Sequence, residues 1–328
     1  MIFDSESVFE DNVITVLKQH GWKDGVLRYP TEQDLLDNWK GILYRNNNDI
    51  DRLGKYPLTD GEMAQIIEQI ETLRTPLALN SFVNGRTVSI TRDNKEDVAH
   101  FGKEISLYIY DRKEIAGGKS TYQIAQQPVY PAKNKMLNSR RGDLVLLING
   151  MPLIHIELKK SGIPVSQATN QIEKYTHEGV FTGLFRLVQI FVAMNPDDAV
   201  YFANPGVDKF NPSYYFHWAD YNNEPICGGQ NPGKDEWKLF IGGTSGTAGL
   251  LSIPMAHQLI GFYTIADSAD GCLKVLRSYQ YIAANAISDV VRKCDWEQRP
   301  TTPGRPGGYV WHTTGSGKTM TSFKSAQL

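Results

Sequence analysis

Asp143, Glu157 and Lys159 are the residues whose types and spacing come nearest to a hydrolytic site. They bracket the run Asp143-Leu-Val-Leu-Leu-Ile-Asn-Gly-Met-Pro-Leu-Ile-His-Ile-Glu-Leu-Lys159, two apolar stretches joined at Asn149-Gly150. Both residues of that dipeptide tolerate positive φ, so it predicts a tight β-hairpin. With the turn over 149–151, Asp143 falls opposite Glu157 to within a residue, where cross-strand Cβ atoms are about 4.5–5.5 Å apart. Two carboxylates that close repel unless a cation sits between them. A hard divalent ion such as Mg²⁺ takes one or two carboxylates and completes its shell with water and substrate phosphate. The period of two puts His155, Glu157 and Lys159 on one face of the second strand and Ile154, Ile156 and Leu158 on the other. Beside metal ligands, a lysine orients the attacking water or stabilises charge on phosphate, and the metal lowers the pKa of that water. These are the parts of phosphodiester hydrolysis. His155 either shares in that chemistry or is an ordinary strand residue.

A second constellation stands at Tyr309-Val-Trp-His-Thr-Thr-Gly-Ser-Gly-Lys-Thr-Met320. A short apolar strand is expected over 309–312, running into a glycine-rich loop and then a helix. Gly315 and Gly317 permit close approach of phosphate to backbone N–H groups, with Ser316 between them. Lys318 reaches the terminal phosphates and Thr319 can ligate Mg²⁺. His312 stands where the full pattern has its first glycine. Upstream, Leu276-Arg277-Ser-Tyr279-Gln280-Tyr-Ile-Ala283 resembles the adenine-reading element that precedes the phosphate loop in nucleotide-driven motors, although Arg-x-x-Gln on a helix is by itself usually an ordinary surface pattern. A glutamine amide both donates and accepts, matching the N6 and N7 edge, and Arg277 can stack on the base or fix the loop.

The first constellation resembles the motif of the PD-(D/E)xK nucleases, with Arg141-Gly142 where the proline before the acid often stands. Gln171-Ile-Glu-Lys-Tyr175 is similar to the Gln-x-x-x-Tyr element of the RecB-like branch of that superfamily. Four apart on a helix, Gln171 and Tyr175 share one face. Glu10 is either the additional acid that such sites often present or an acid complementing a helix dipole. His312-Thr-Thr-Gly-Ser-Gly-Lys-Thr319 resembles the phosphate loop of superfamily-two helicases. A nuclease motif followed by a motor motif resembles the restriction (R) subunits of type I restriction-modification enzymes. That resemblance implies Mg²⁺ and ATP as cofactors, double-stranded DNA as substrate, and methyltransferase and specificity subunits as partners. A helicase–nuclease of DNA-end repair, or a catalytically silent module that docks DNA or partners, are the alternative readings.

The elements that must position these groups are legible in outline. Residues 5–20 read as an amphipathic helix capped by Ser5 or Ser7. Helices are expected at 34–44, 61–73, 165–177, 255–266 and 273–292, and strands within 80–110 and at 188–194 and 199–203. The fold class is α/β: a restriction-endonuclease-like nuclease domain with a mixed sheet flanked by helices (1–225), then the truncated start of a RecA-like α/β motor domain (255–328). A Gly/Pro-rich connection is expected at 226–254 and a second Pro/Gly stretch at 299–308. With few residues after Thr319, the loop and its flanks are expected to fray.

Composition bounds the rest. The chain has 328 residues, 41% of them apolar, enough for a substantial core. Three scattered cysteines without C-x-x-C spacing fit neither a disulfide framework nor zinc. No apolar run suits a membrane span or signal peptide, so a cytoplasmic protein is expected. A net charge of −2 gives no whole-chain attraction to nucleic acid, so DNA contact must rest on local clusters or on partners.

Overall fold

Side-chain caps start the first helices. In the computed structural model, which describes all residues except 1, 116, 132–139, 208, 232 and 294–307, Ser5 accepts from the Val8 N–H to open α1 (Glu6–Gln19). β1 (Val26–Arg28) follows. Reciprocal capping boxes, Thr31 with Asp34 and Thr59 with Glu62, open α2 (Glu32–Asn46) and α3 (Asp60–Thr72). Residues 76–84, at the edge of the region expected to be strand, instead form α4 (Pro76–Asn84), with Pro76 in its first turn. The alternating residues beyond it pair as β2 (Thr87–Thr91) and β3 (Glu104–Tyr108).

The centre of the molecule is a six-stranded mixed sheet in the order β1-β4-β7-β8-β9-β10. Its strands are β4 (Tyr122–Gln126), β7 (Leu144–Ile148), β8 (Met151–Leu158), β9 (Ile190–Met194) and β10 (Ala199–Ala203), besides β1. A short pair, β5 (Val129–Tyr130) and β6 (Arg140–Arg141), lies just before β7. β1–β4 and β8–β9 are parallel and the other neighbours antiparallel. Every residue of β7, β8 and β9 is buried, and β7 and β9 accordingly read as continuous apolar runs. Each large aliphatic side chain so buried contributes roughly 1.5–3 kcal/mol of transfer free energy.

Layers cover both faces. α5 (Val165–His177) packs its Ala168 and Ile172 on Phe191 and Ala193, the face shared by His155 and Glu157. Phe9 and Leu17 of α1 join the larger core with Ile154, Ile156 and Leu158.

The stretch expected to be a connection is packed. It carries α6 (Glu236–Gly242), and Trp237, Phe240, Leu250 and Leu251 enter the same core as the sheet. The expected helices at 255–266 and 273–292 are shortened. α7 (Met255–Gly261) ends before a hairpin of β11 (Thr264–Asp267) and β12 (Cys272–Val275), and α8 spans Ser278–Lys293. Asp270-Gly271, with Gly271 at φ 66°, turns that hairpin. The expected strand at 309–312 does not form; Tyr309 and Trp311 lie exposed, outside any ladder. The loop nevertheless leads into a regular helix, α9 (Lys318–Gln327), which packs on α8, so Thr319 is helical rather than frayed. Most of the Pro/Gly stretch at 299–308, like Cys294, falls outside the described residues.

Candidate active site

The turn at Asn149-Gly150 forms as its sequence dictates, with φ of 53° and 82°. A two-residue turn alone would set Asp143 opposite Ile156. Instead the register slips between Leu146 and Leu147, where Leu153 is the extra residue of a β-bulge, and Leu144 pairs with Ile156. Asp143, one residue outside that ladder, is thereby in phase with Glu157. Without the slip, Glu157 would point to the opposite face of the sheet.

Each member of the site is held. Asp143 Oδ2 accepts from the Leu158 N–H at 2.7 Å, tying the first acid to the backbone between the other two residues. Its carbonyl accepts from the Gln127 N–H at 2.7 Å. Lys159 donates its N–H to Met194, continuing the β8–β9 ladder. Its Nζ lies 2.8 Å from the Leu158 carbonyl, 3.4 Å from Glu157 Oε1 and 3.7 Å from Glu6 Oε1.

Burial sets the electrostatics. It pushes the Asp143 carboxyl well above the usual range, and the Glu157 charge adds to the effect. Burial also pushes Glu157 up to about 7, against the pull of Lys159 and a hydrogen bond with Asp143. Two buried acids that resist ionising together are a site that gains from a cation.

Glu10 is not a first-turn dipole acid; Glu6 holds that place. Glu10 is 3% exposed, accepts from Gln126 Nε2 at 2.6 Å and from Gln127 Nε2 at 3.2 Å, and contributes to raising Asp143. Desolvation raises its own pKa. His155 lies inside the site, fully buried, with its Nδ1 2.9 Å from the Tyr130 hydroxyl and its Nε2 3.4 Å from Glu157 Oε2.

Gln171 and Tyr175 meet on one helix face, Gln171 Nε2 donating to the Tyr175 hydroxyl at 2.7 Å. That hydroxyl donates to the Arg141 carbonyl at 3.0 Å, two residues before Asp143. The pair therefore braces the strand that carries the first acid. Tyr130, Gln126 and Gln127 went unrecognised in the sequence because they belong to no motif, and only the fold brings them to the site.

At the phosphate loop, Gly315 and Gly317 have φ of 80° and 82°, which only glycine adopts without strain. Ser316 Oγ and Lys318 Nζ both donate to the Thr313 carbonyl, at 2.7 and 3.2 Å, curling the loop at the start of α9. Thr319 is exposed on the first turn. Gln280 lies beneath the loop. Its Oε1 accepts from the Arg277 N–H at 2.9 Å, and its Nε2 donates to the Ser316 carbonyl at 3.1 Å. Its amide thus fastens the loop to α8. Tyr279, another residue the motif reading passed over, donates from its hydroxyl to the Ser316 carbonyl at 2.8 Å and accepts from Arg277. Arg277 lies over the Phe216 ring at 4.4 Å. Arg277, Gln280 and Gly315–Gly317 line a cavity of about 230 Å³ together with Phe202, Tyr214 and Phe216.

Among the described residues no three His, Cys, Asp or Glu side chains gather as a ready-made metal cage. No helix there is long and apolar enough to cross a membrane.

The family model described as "Type I restriction enzyme R protein N terminus" matches residues 4–210, which contain all of the first site. The model of the SWI2/SNF2 ATPase matches residues 279–328, which contain Gln280 and the loop. Among curated relatives, the type I restriction enzyme SsaAORF53P endonuclease subunit of Staphylococcus saprophyticus is 30% identical over 336 residues, covering 100% of this chain and 30% of the relative. The SauCOLORF180P endonuclease subunit of Staphylococcus aureus is 32% identical over 330 residues, with the same coverage. The EcoprrI endonuclease subunit of Escherichia coli is 26% identical over 95% of this chain and 99% of the relative. The chain spans about 30% of the length of the staphylococcal relatives it matches. A family match across the entire sheet and its acids leaves one assignment: the chain belongs to the type I restriction enzyme R protein N-terminal family.

Proposed function

We propose that this chain carries the DNA-cutting centre and the opening segment of the ATP-driven translocating motor of a type I restriction enzyme, acting on double-stranded DNA with methyltransferase and specificity subunits. In this reading the central sheet with its helices is a restriction-endonuclease-like nuclease domain, and residues from 255 onward begin a RecA-like motor domain. The observation that carries it is the register of β7 and β8, which sets Asp143 against Glu157 with Lys159 on the same face.

The donor set fits a hard divalent cation: two buried carboxylates, both raised by desolvation, that resist ionising together. Asp143 and Glu157 are the residues that would hold Mg²⁺. When bound, the ion supplies a lowered pKa for water and charge stabilisation at phosphate. The protein's own part is positional. The Leu158 N–H fixes Asp143, and Tyr175 steadies Arg141 ahead of it. Lys159 presents an ammonium beside Glu157 to a scissile phosphate. At the second site, the loop N–H groups and Lys318 would hold the phosphates of ATP, with Thr319 toward its Mg²⁺.

The test is a divalent-cation-dependent cleavage assay on the full-length subunit with its methyltransferase and specificity partners, with and without ATP. Cleavage that needs both ATP and Mg²⁺ supports the reading. Cleavage of free DNA ends without those partners favours an end-repair nuclease, and binding without cleavage a docking module.

A further inference from the structure

His155 is buried completely, in a nest of Tyr130, Phe181 and Phe191 rings. Its Nδ1 is taken by the Tyr130 hydroxyl at 2.9 Å. Its Nε2 and Glu157 Oε2 are both buried, both without a hydrogen-bond partner, and 3.4 Å apart. Leaving two such atoms unpaired in a core is costly, so their juxtaposition calls for an explanation. A carboxylate offers only lone pairs, so the ring nitrogen facing it must be the one that carries hydrogen. Tyr130 then donates to Nδ1, which fixes the ring plane.

A second observation bears on the same pair. A Cβ added at Gly142 would stand 2.5 Å from the Tyr130 hydroxyl and 2.9 Å from His155 Cε1. Gly142 immediately precedes Asp143, at the position where related motifs often carry proline. The Tyr130–His155 pair occupies the space that a side chain there would fill.

We infer that His155, locked by Tyr130 and admitted by Gly142, is a positioning residue: its Nε2–H bonds Glu157 Oε2 and turns Oε1 toward Lys159 and the divalent cation. The inference rests on the reading of Glu157 as a metal ligand. Groups that orient a metal's carboxylate ligands in this way affect metal affinity about tenfold or more. A merely structural histidine would not, because it contributes only to packing.

The experiment titrates Mn²⁺ into the full-length subunit without DNA, by calorimetry, and records unfolding temperature in EDTA. Glu157→Gln is the reference; binding that survives it overturns the metal-site reading itself. Given its loss there, His155→Leu is expected to weaken Mn²⁺ about tenfold, with the unfolding transition in EDTA showing that the variant is folded when it is titrated. His155→Gln, which keeps a donor near Nε2, is expected to recover most of the affinity. Gly142→Ala, which crowds the pair, and Tyr130→Phe, which releases the ring, are each expected to weaken Mn²⁺ several-fold, and they serve if the leucine variant does not fold. Wild-type Mn²⁺ affinity in His155→Leu, or in both Gly142→Ala and Tyr130→Phe, overturns the role of His155 while leaving the nuclease site standing.

Discussion

The proposed cleavage site and the proposed phosphate loop would handle the same chemical object, a charged phosphate, in opposite ways. At the first, the charged groups belong to side chains sunk in the sheet; Glu157 is fully buried and Lys159 nearly so. At the second, the polar groups are backbone N–H groups of an exposed loop, and Lys318 and Thr319 lie at the surface. On the proposed reading burial suits the sheet site, because a cation would relieve two desolvated carboxylates that resist ionising together. On the same reading the loop needs access, because a nucleotide would have to enter and leave it. Each is braced by hydrogen bonds from neighbouring residues: Tyr175 and Gln171 at the first, Tyr279 and Gln280 at the second.

That contrast predicts separable failures. The largest is expected at the sheet. Glu157→Gln or Lys159→Ala in the assembled full-length enzyme should lower cleavage by at least about a hundredfold, with ATP-driven translocation unchanged. Translocation lost together with cleavage would show that the two sites do not separate.

Next comes Lys318→Ala, expected to abolish ATP turnover and every cut that depends on movement, while Mn²⁺ binding at Asp143 and Glu157 persists. Normal ATP turnover in that variant would remove the loop from the account.

A third effect concerns the packing between the two regions. His257 of α7 bonds the Tyr122 hydroxyl through Nδ1 at 2.8 Å and the Asp111 carbonyl through Nε2 at 3.0 Å, and burial pushes it down to about 4. The unfolded chain takes up the proton first, near pH 6.5, so stability present above that value is lost as pH falls from 6.5 through 4. The loss is on the order of 3 kcal/mol. Urea unfolding of wild type and His257→Gln at pH 7 and 4.5 checks this, and an equally steep fall in the variant would refute it.

The smallest is Tyr279→Phe. It loses one hydrogen bond to the loop, about 1 kcal/mol, and should weaken ATP about fivefold, as read by equilibrium binding, without touching cleavage-site metal affinity.

Which parts of this were legible in the sequence follows from the range of the forces involved. The hairpin of β7 and β8 and helix α5 were readable because turn chemistry and apolar period are local, and Asn149-Gly150 states its own conformation. Glu10 was ambiguous: a helix shows which face a residue occupies, not that Gln126 and Gln127 arrive beneath it. Tyr130 was invisible, since its pairing with His155 depends on how β5 meets β8. The strand expected at Tyr309–His312 failed for the converse reason. An apolar run becomes a strand only where a neighbour offers hydrogen bonds, and these residues have none from the sheets described. The burial of the stretch at 226–254 is not legible because glycine and proline counts mask the few large side chains, Trp237 and Phe240 among them, that bury it.

The odd residue at Leu153 makes the active centre a matter of counting. Hairpin variants shortened or lengthened by one residue would turn the acid and amine to the wrong side of the sheet, and so be inert wherever they fold. Changes of two would restore the side and only shift the spacing. A length library of this arm should therefore sort its survivors by parity rather than by stability.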